Sequence, residues 1–184
     1  MTPLHDIFSL VCGQQHNSVV GGMELPFCQR CTGLYVGVVP ALLVYLLCKP
    51  KPTARMLWVH GIFLLLMVPF GYHLVVQTGE IRMLTGQLFA CGLVYYLTLL
   101  LSDRWASWRK LLPLGDASYF ALLALSLLLL QIAVIWGGKR TNAILSWLGF
   151  GGLLLYALLV LVNLAFLAEA AWNALRRRAH YSES

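Results

Sequence analysis

Three cysteines and a histidine, Cys12, His16, Cys28 and Cys31, fall within twenty positions near the N-terminus, in a stretch with few charges. Cys28-x-x-Cys31 lets two sulfurs approach one ion, or each other. Cys12-x-x-x-His16 aligns two further donors if that stretch forms a helical turn. Together they supply the four ligands of a tetrahedral Cys₃His zinc site, and a Gly21-Gly22 turn between the pairs can fold one onto the other. The segment is poor in apolar residues, so it is expected to depend on the metal for its order. Zinc contributes about 10–16 kcal/mol in small peptide sites of this kind.

The same residues support a redox reading. A Cys-x-x-Cys pair leading into a helix lies near the positive end of the helix dipole, which favours the thiolate. Cys28 and Cys31 could then exchange with Cys12, as in membrane thiol-disulfide oxidoreductases. Cys48 and Cys91, placed near the far end of one apolar run and inside another, give no second pair on the same side.

Four more polar residues are candidates to support the cluster: Arg30, His73, Gln77 and Arg82. His73 and Gln77 are four apart and share a helical face. They follow Pro69 and Gly71, which are expected to loosen the helix and free backbone groups for a neighbour. Arg30-Cys31-Thr32-Gly33 is echoed by Arg82-x-x-Thr85-Gly86. Thr as a cap and Gly as a point of close approach account for the echo by packing. Two arginines beside two helix starts also make a positive field suited to a carboxylate or phosphate. His60 stands alone on a helix and is a weak candidate haem or chlorin ligand. No phosphate loop, Ser/His/Asp grouping or chain of intramembrane acids is present, and no catalytic residue is assigned.

The elements that position these residues are apolar helices. The chain has 184 residues, 60% hydrophobic and only 11% charged, where a soluble domain is about a quarter charged. Runs of the length needed to cross about 30 Å of hydrocarbon extend over Thr32–Cys48, Met56–Val76, Met83–Ser102, Ala117–Trp136 and Ala143 to about Ala171. Backbone polar groups in lipid must be paired within the segment, and no alternating barrel pattern is present, so the runs are expected to be helices. The predicted fold is an all-α polytopic membrane bundle of about five helices. It divides into a Cys/His segment over 1–31, the bundle over 32–172 and a basic tail over 173–184. No signal-peptide pattern is visible, and the N-terminus is expected to be retained.

Loop charges give an orientation. Lys49, Lys51, Arg55, Arg104, Arg109, Lys110 and Arg176 to Arg178 fall in one set of loops, nine in all. Arg30, Arg82, Lys139 and Arg140 make up the other set of four. The larger set is expected to face the cytoplasm, which puts the N-terminus and the cysteine cluster outside and the C-terminus inside. The net charge of +6 then reflects this bias and a lipid anchor, not nucleic-acid binding.

At Cys28-Gln-Arg-Cys31-Thr-Gly33-Leu-Tyr35-Val-Gly37 the sequence resembles a family of small bacterial membrane proteins, domain of unknown function number 2085. The resemblance extends to Cys12-Gly-Gln with His16, to Leu25-Pro26 and to Arg82-x-x-Thr85-Gly86, over roughly the first 100 residues. Gly13, and the non-acidic stretch Phe70 to His73, depart from the family pattern. The resemblance implies a bacterial membrane location and a retained cysteine cluster, and it implies no reaction. The sequence therefore predicts an integral membrane protein in the bacterial cytoplasmic membrane. Its extracytoplasmic zinc site would be held by Cys12, His16, Cys28 and Cys31, and its role would be that of an accessory or binding subunit of a membrane complex. The alternatives are a thiol-disulfide enzyme and a purely structural subunit.

Overall fold

The computed structural model describes residues 16–71, 74–104 and 115–182. A short hairpin, β1 (Asn17–Val20) and β2 (Met23–Cys28), leads into α1 (Gln29–Cys48). It is followed by α2 (Ala54–Gly71), α3 (Gly79–Arg104), α4 (Asp116–Trp136) and α5 (Lys139–Ser182). Among the described residues the hairpin is the one pair of strands, and the other regular elements are helices.

The helix limits follow from local chemistry. At the end of α1, Lys49 takes a left-handed conformation with φ 41° while its N–H still bonds the Tyr45 carbonyl, and Pro50 follows. That is how a helix is closed before a proline. Thr53 caps α2 by accepting from Met56 N–H at 3.3 Å. Within α2 the winding is interrupted at Leu66, because Pro69 cannot donate to the Leu65 carbonyl and its ring crowds it. In the second apolar run the helix is described as far as Gly71, short of the expected Val76, and 74–78 is irregular.

Gln29–Cys48, Ala54–Gly71, Asp116–Trp136 and Lys139–Arg177 are each long and apolar enough to cross a membrane. The remaining expected run, Met83–Ser102, lies inside α3, a helix of 26 residues. Large apolar side chains stand exposed along α4 and α5, among them Leu128, Ile135, Leu154 and Leu161. Apolar surface on that scale is unfavourable in water and ordinary against lipid tails. The molecule is an all-α membrane bundle carrying one small hairpin.

α1 and α3 form its spine. They run parallel and meet backbone to backbone. A Cβ on Gly33 would strike the Met83 carbonyl, and one on Gly86 would strike the Arg30 carbonyl. Gly37 continues the seam against Gln87 and Ala90. The echoed Thr-Gly pairs are thus a reciprocal close approach, as small residues provide where helices pack in lipid. Polar ties join α4 and α5 to this spine through α3: Gln87 donates to the Leu127 carbonyl at 3.3 Å, and Asn163 to the Leu97 carbonyl at 2.9 Å.

Candidate functional site

The hairpin grows from a two-residue turn. Gly21 and Gly22 have φ +60° and +78°, the pair of positive values that a type I′ turn needs and that glycine accepts without strain. Val20 pairs with Met23 and Val19 with Glu24, but Asn17 pairs with Cys28. β2 therefore carries two extra residues across that interval, around Pro26, which has no N–H for a ladder. Ser18, Val20, Leu25 and Phe27 point inward and are buried, while Val19 and Met23 face out. Val20, Leu25 and Phe27 pack with Tyr35, Val36, Leu130 and Leu145. Burying each apolar side chain of this size is worth roughly 1.5–3 kcal/mol. The expectation that this segment depends on a metal for its order is therefore corrected: three apolar anchors hold it to the bundle.

Polar contacts fix it at the same place. Asn142, in the first turn of α5, donates to the Met23 carbonyl at 2.8 Å and the Val20 carbonyl at 3.4 Å. Gly21 lies so close to the Gly138–Lys139 backbone that a Cβ would not fit. Arg30 reaches Gln77, and Gln131 on α4 donates to the Glu80 carbonyl at 3.3 Å. The hairpin, the 74–78 segment and the α4–α5 connection thus gather at one end of the bundle.

Cys28 closes β2 and begins α1. Its Sγ accepts from the Cys31 N–H at 3.5 Å, so Cys28 caps the helix and the two cysteines face one short turn. Cys28 is buried, and Cys31 is half-buried. The ladder also runs one step past Asn17, because the Gln29 N–H donates to the His16 carbonyl at 2.8 Å. This brings the His16 backbone beside the Cys28–Cys31 turn, with its side chain exposed. Three of the four residues proposed as ligands are therefore neighbours along the chain path. Cys12 lies outside the described residues. Among the described residues no three His, Cys, Asp or Glu side chains are grouped to hold a metal ion.

Of the supporting residues, Arg30 and Gln77 come together. The Arg30 Nη2 donates to the Phe70 carbonyl at 2.7 Å and to Gln77 Oε1 at 3.1 Å, and Gln77 Nε2 donates to the same carbonyl at 2.7 Å. The backbone group freed beyond Pro69 is the one they use. Arg82 is half-buried one turn before Gly86, and His73 lies outside the described residues.

His60 is fully buried at the other end of the bundle, with both ring nitrogens engaged: Nδ1 with the Met56 carbonyl and Nε2 with the Tyr119 hydroxyl, each at 2.9 Å. Its ring stacks on Tyr95 with centroids 4.0 Å apart. Neither nitrogen is open to a haem or chlorin iron or magnesium. The Tyr119 partner, 59 residues away, has no local signature around His60.

No curated protein and no solved structure matches the chain. Residues 12–96, which run from ahead of the hairpin through α1 and α2 and most of α3, match the model of a family described as "Predicted membrane protein". That stretch contains both halves of the glycine seam and the Cys28–Cys31 turn, and over it the chain is similar to the DUF2085 family of membrane proteins.

Proposed function

We propose that the hairpin end is an extracytoplasmic zinc site in which Cys12, His16, Cys28 and Cys31 bind the ion, and that the protein serves as an accessory or binding subunit in the membrane. The observation that carries this reading is the register: the ladder step from Gln29 N–H to the His16 carbonyl sets His16 against the Cys28–Cys31 turn. An N–H directed at Cys28 Sγ also supports a thiolate ligand, since a donor to sulfur favours its charged form. Rotation of the exposed His16 ring and the approach of Cys12, four positions upstream, would complete four donors. In this reading five helices cross the bilayer. The nine-to-four division of basic residues puts the hairpin outside and the C-terminal basic segment over 173–184 in the cytoplasm.

Thiol-disulfide exchange is a second reading, favoured by the position of Cys28 as helix cap. The Cys28/Cys31 dithiol would pass two electrons and two protons to a partner's disulfide, which leaves as two thiols while a Cys28–Cys31 bond forms. Metal analysis with thiol counting on the purified protein separates the two. One zinc per chain with three thiols protected until chelation is expected for the first. Metal-free protein with a reducible Cys28–Cys31 bond would replace it with the second.

A further inference from the structure

Five buried side-chain polar atoms lack a hydrogen-bond partner among the described residues: Arg30 Nε, Arg82 Nε, Tyr95 Oη, Gln131 Oε1 and Asn163 Oδ1. Three belong to neutral groups, for which an unmade bond carries a modest desolvation cost. The other two are guanidinium donors. A charged group out of water without a counter-charge costs far more than a neutral one, so the arginines call for a separate explanation.

Arg30 is only 7% exposed, so its head does not reach past the protein into water. Its bonds from Nη2 go to two neutral oxygens, the Phe70 carbonyl and Gln77 Oε1. Arg82 is its close neighbour, because the Arg30 carbonyl abuts Gly86, one turn along α3 from Arg82, while Gly33 abuts Met83. No described acid bonds either guanidinium. The nearest in sequence, Glu80, is held below the usual carboxylate range by its own backbone N–H and then by the Thr78 hydroxyl, so it is engaged at the start of α3. Two guanidinium Nε–H groups, on adjacent helices locked together by backbone contact, are thus left without acceptors.

We propose that Arg30 and Arg82 form an oxyanion-binding site at the hairpin end of the α1–α3 seam, taking a phosphate or carboxylate group. A guanidinium presents its Nε–H and one terminal N–H in parallel, a fork that fits two oxygens of one oxyanion. Arg30 commits Nη2, the terminal nitrogen on the same edge as Nε, to Phe70 and Gln77, which fixes the plane of the group and leaves its Nε–H to donate a single bond, so the two-oxygen fork falls to Arg82. Gln77 acts as a positioning residue through its bond to the Phe70 carbonyl. The same chemistry is offered by a phospholipid headgroup and by a free anion in solution.

The test uses the full-length protein in neutral detergent at fixed ionic strength, followed by thermal unfolding as inorganic phosphate replaces chloride. In parallel the protein is placed in phosphatidylcholine nanodiscs with or without phosphatidylglycerol. A saturable rise in Tm with phosphate identifies a soluble anion; a rise only with phosphatidylglycerol identifies the lipid headgroup. Loss of a charge-assisted pair is expected to weaken half-saturation by about tenfold or more. Arg30→Gln removes a side chain tied to 70–77 and can disturb the fold. Arg82→Gln is the decisive variant, since among the described residues no side-chain hydrogen bond holds the Arg82 guanidinium. No response to either probe, or the same response in Arg82→Gln as in the parent, would overturn the proposal.

Discussion

The two ends of the bundle handle buried polar groups in opposite ways. Around His60, a ring of aromatic side chains encloses an imidazole whose two nitrogens are both bonded within the protein, with Tyr95 stacked on one side and Phe63 and Phe120 nearby. At the hairpin end, a buried arginine has only neutral partners, a second arginine has an unbonded Nε, and a cysteine sulfur takes a backbone N–H. The first arrangement is closed except for the neutral Tyr95 hydroxyl. The second is charged and incomplete. A lone buried histidine looks like the more chemical feature in sequence, yet saturation of its hydrogen bonds makes it a packing element. The proposed ligand chemistry is placed at the end where charged donors remain unmatched among the described residues.

The comparison depends on the seam that links both ends, and breaking it should have the largest effect. Gly33→Leu drives a side chain into the Met83 backbone. Backbone cannot yield as a side chain can, so a loss above about 3 kcal/mol is expected. The measurement is recovery of a monodisperse species in detergent, and a normal yield with unchanged Tm would remove the seam from the account. Next in size is His60→Ala, which opens a cavity and strands the Tyr119 hydroxyl, with an expected loss of about 2–5 kcal/mol. Tyr119→Phe should cost about 1–3 kcal/mol by leaving Nε2 unbonded. In a double-mutant cycle the two should couple by about 1 kcal/mol or more. Strict additivity would mean that the His60–Tyr119 bond does not hold α2 to α4.

Much of this division was legible before the structure. The Lys49-Pro50 stop, the Gly21-Gly22 turn and the loosening at Pro69 follow from residue types whose backbone limits are strong and local. The Arg30/Arg82 echo with its Thr-Gly pairs was readable as close packing for the same reason. The hairpin strands were not recognised, although Ser18 and Val20 alternate with Asn17 and Val19 on one side of the glycine turn, and Leu25 and Phe27 mark the other. Four- and six-residue strands beside twenty-residue apolar runs give a weak signal, and it was the burial of Val20, Leu25 and Phe27 that replaced the metal as the source of order. The Met83 and Tyr119 contacts belong to tertiary packing and have no local signature.

Cys31→Ser sharpens the comparison at the hairpin end. Zinc content is expected to fall from one per chain to near zero, measured on protein purified without added metal. Because the hairpin keeps its apolar anchors, amide exchange over 17–28 is expected to change little. Global melting of the hairpin in this variant would restore the metal as its main support.

The smallest effect expected is that of Asn142→Ala. The Asn142 side chain donates to two hairpin carbonyls and lies in the first turn of α5, so it joins the hairpin to the α4–α5 connection. Removing it leaves the Met23 and Val20 carbonyls to find water at the edge of the bundle, and since neither is charged the cost should be about 1 kcal/mol. The loss is expected to be local: faster amide exchange at Val20 to Glu24, with Tm nearly unchanged and zinc content intact. A global Tm drop of the size seen for His60→Ala would mean that the hairpin end is as tightly integrated as the aromatic end. In that case the orphan arginine donors would be buried in a rigid core with no room to admit an anion.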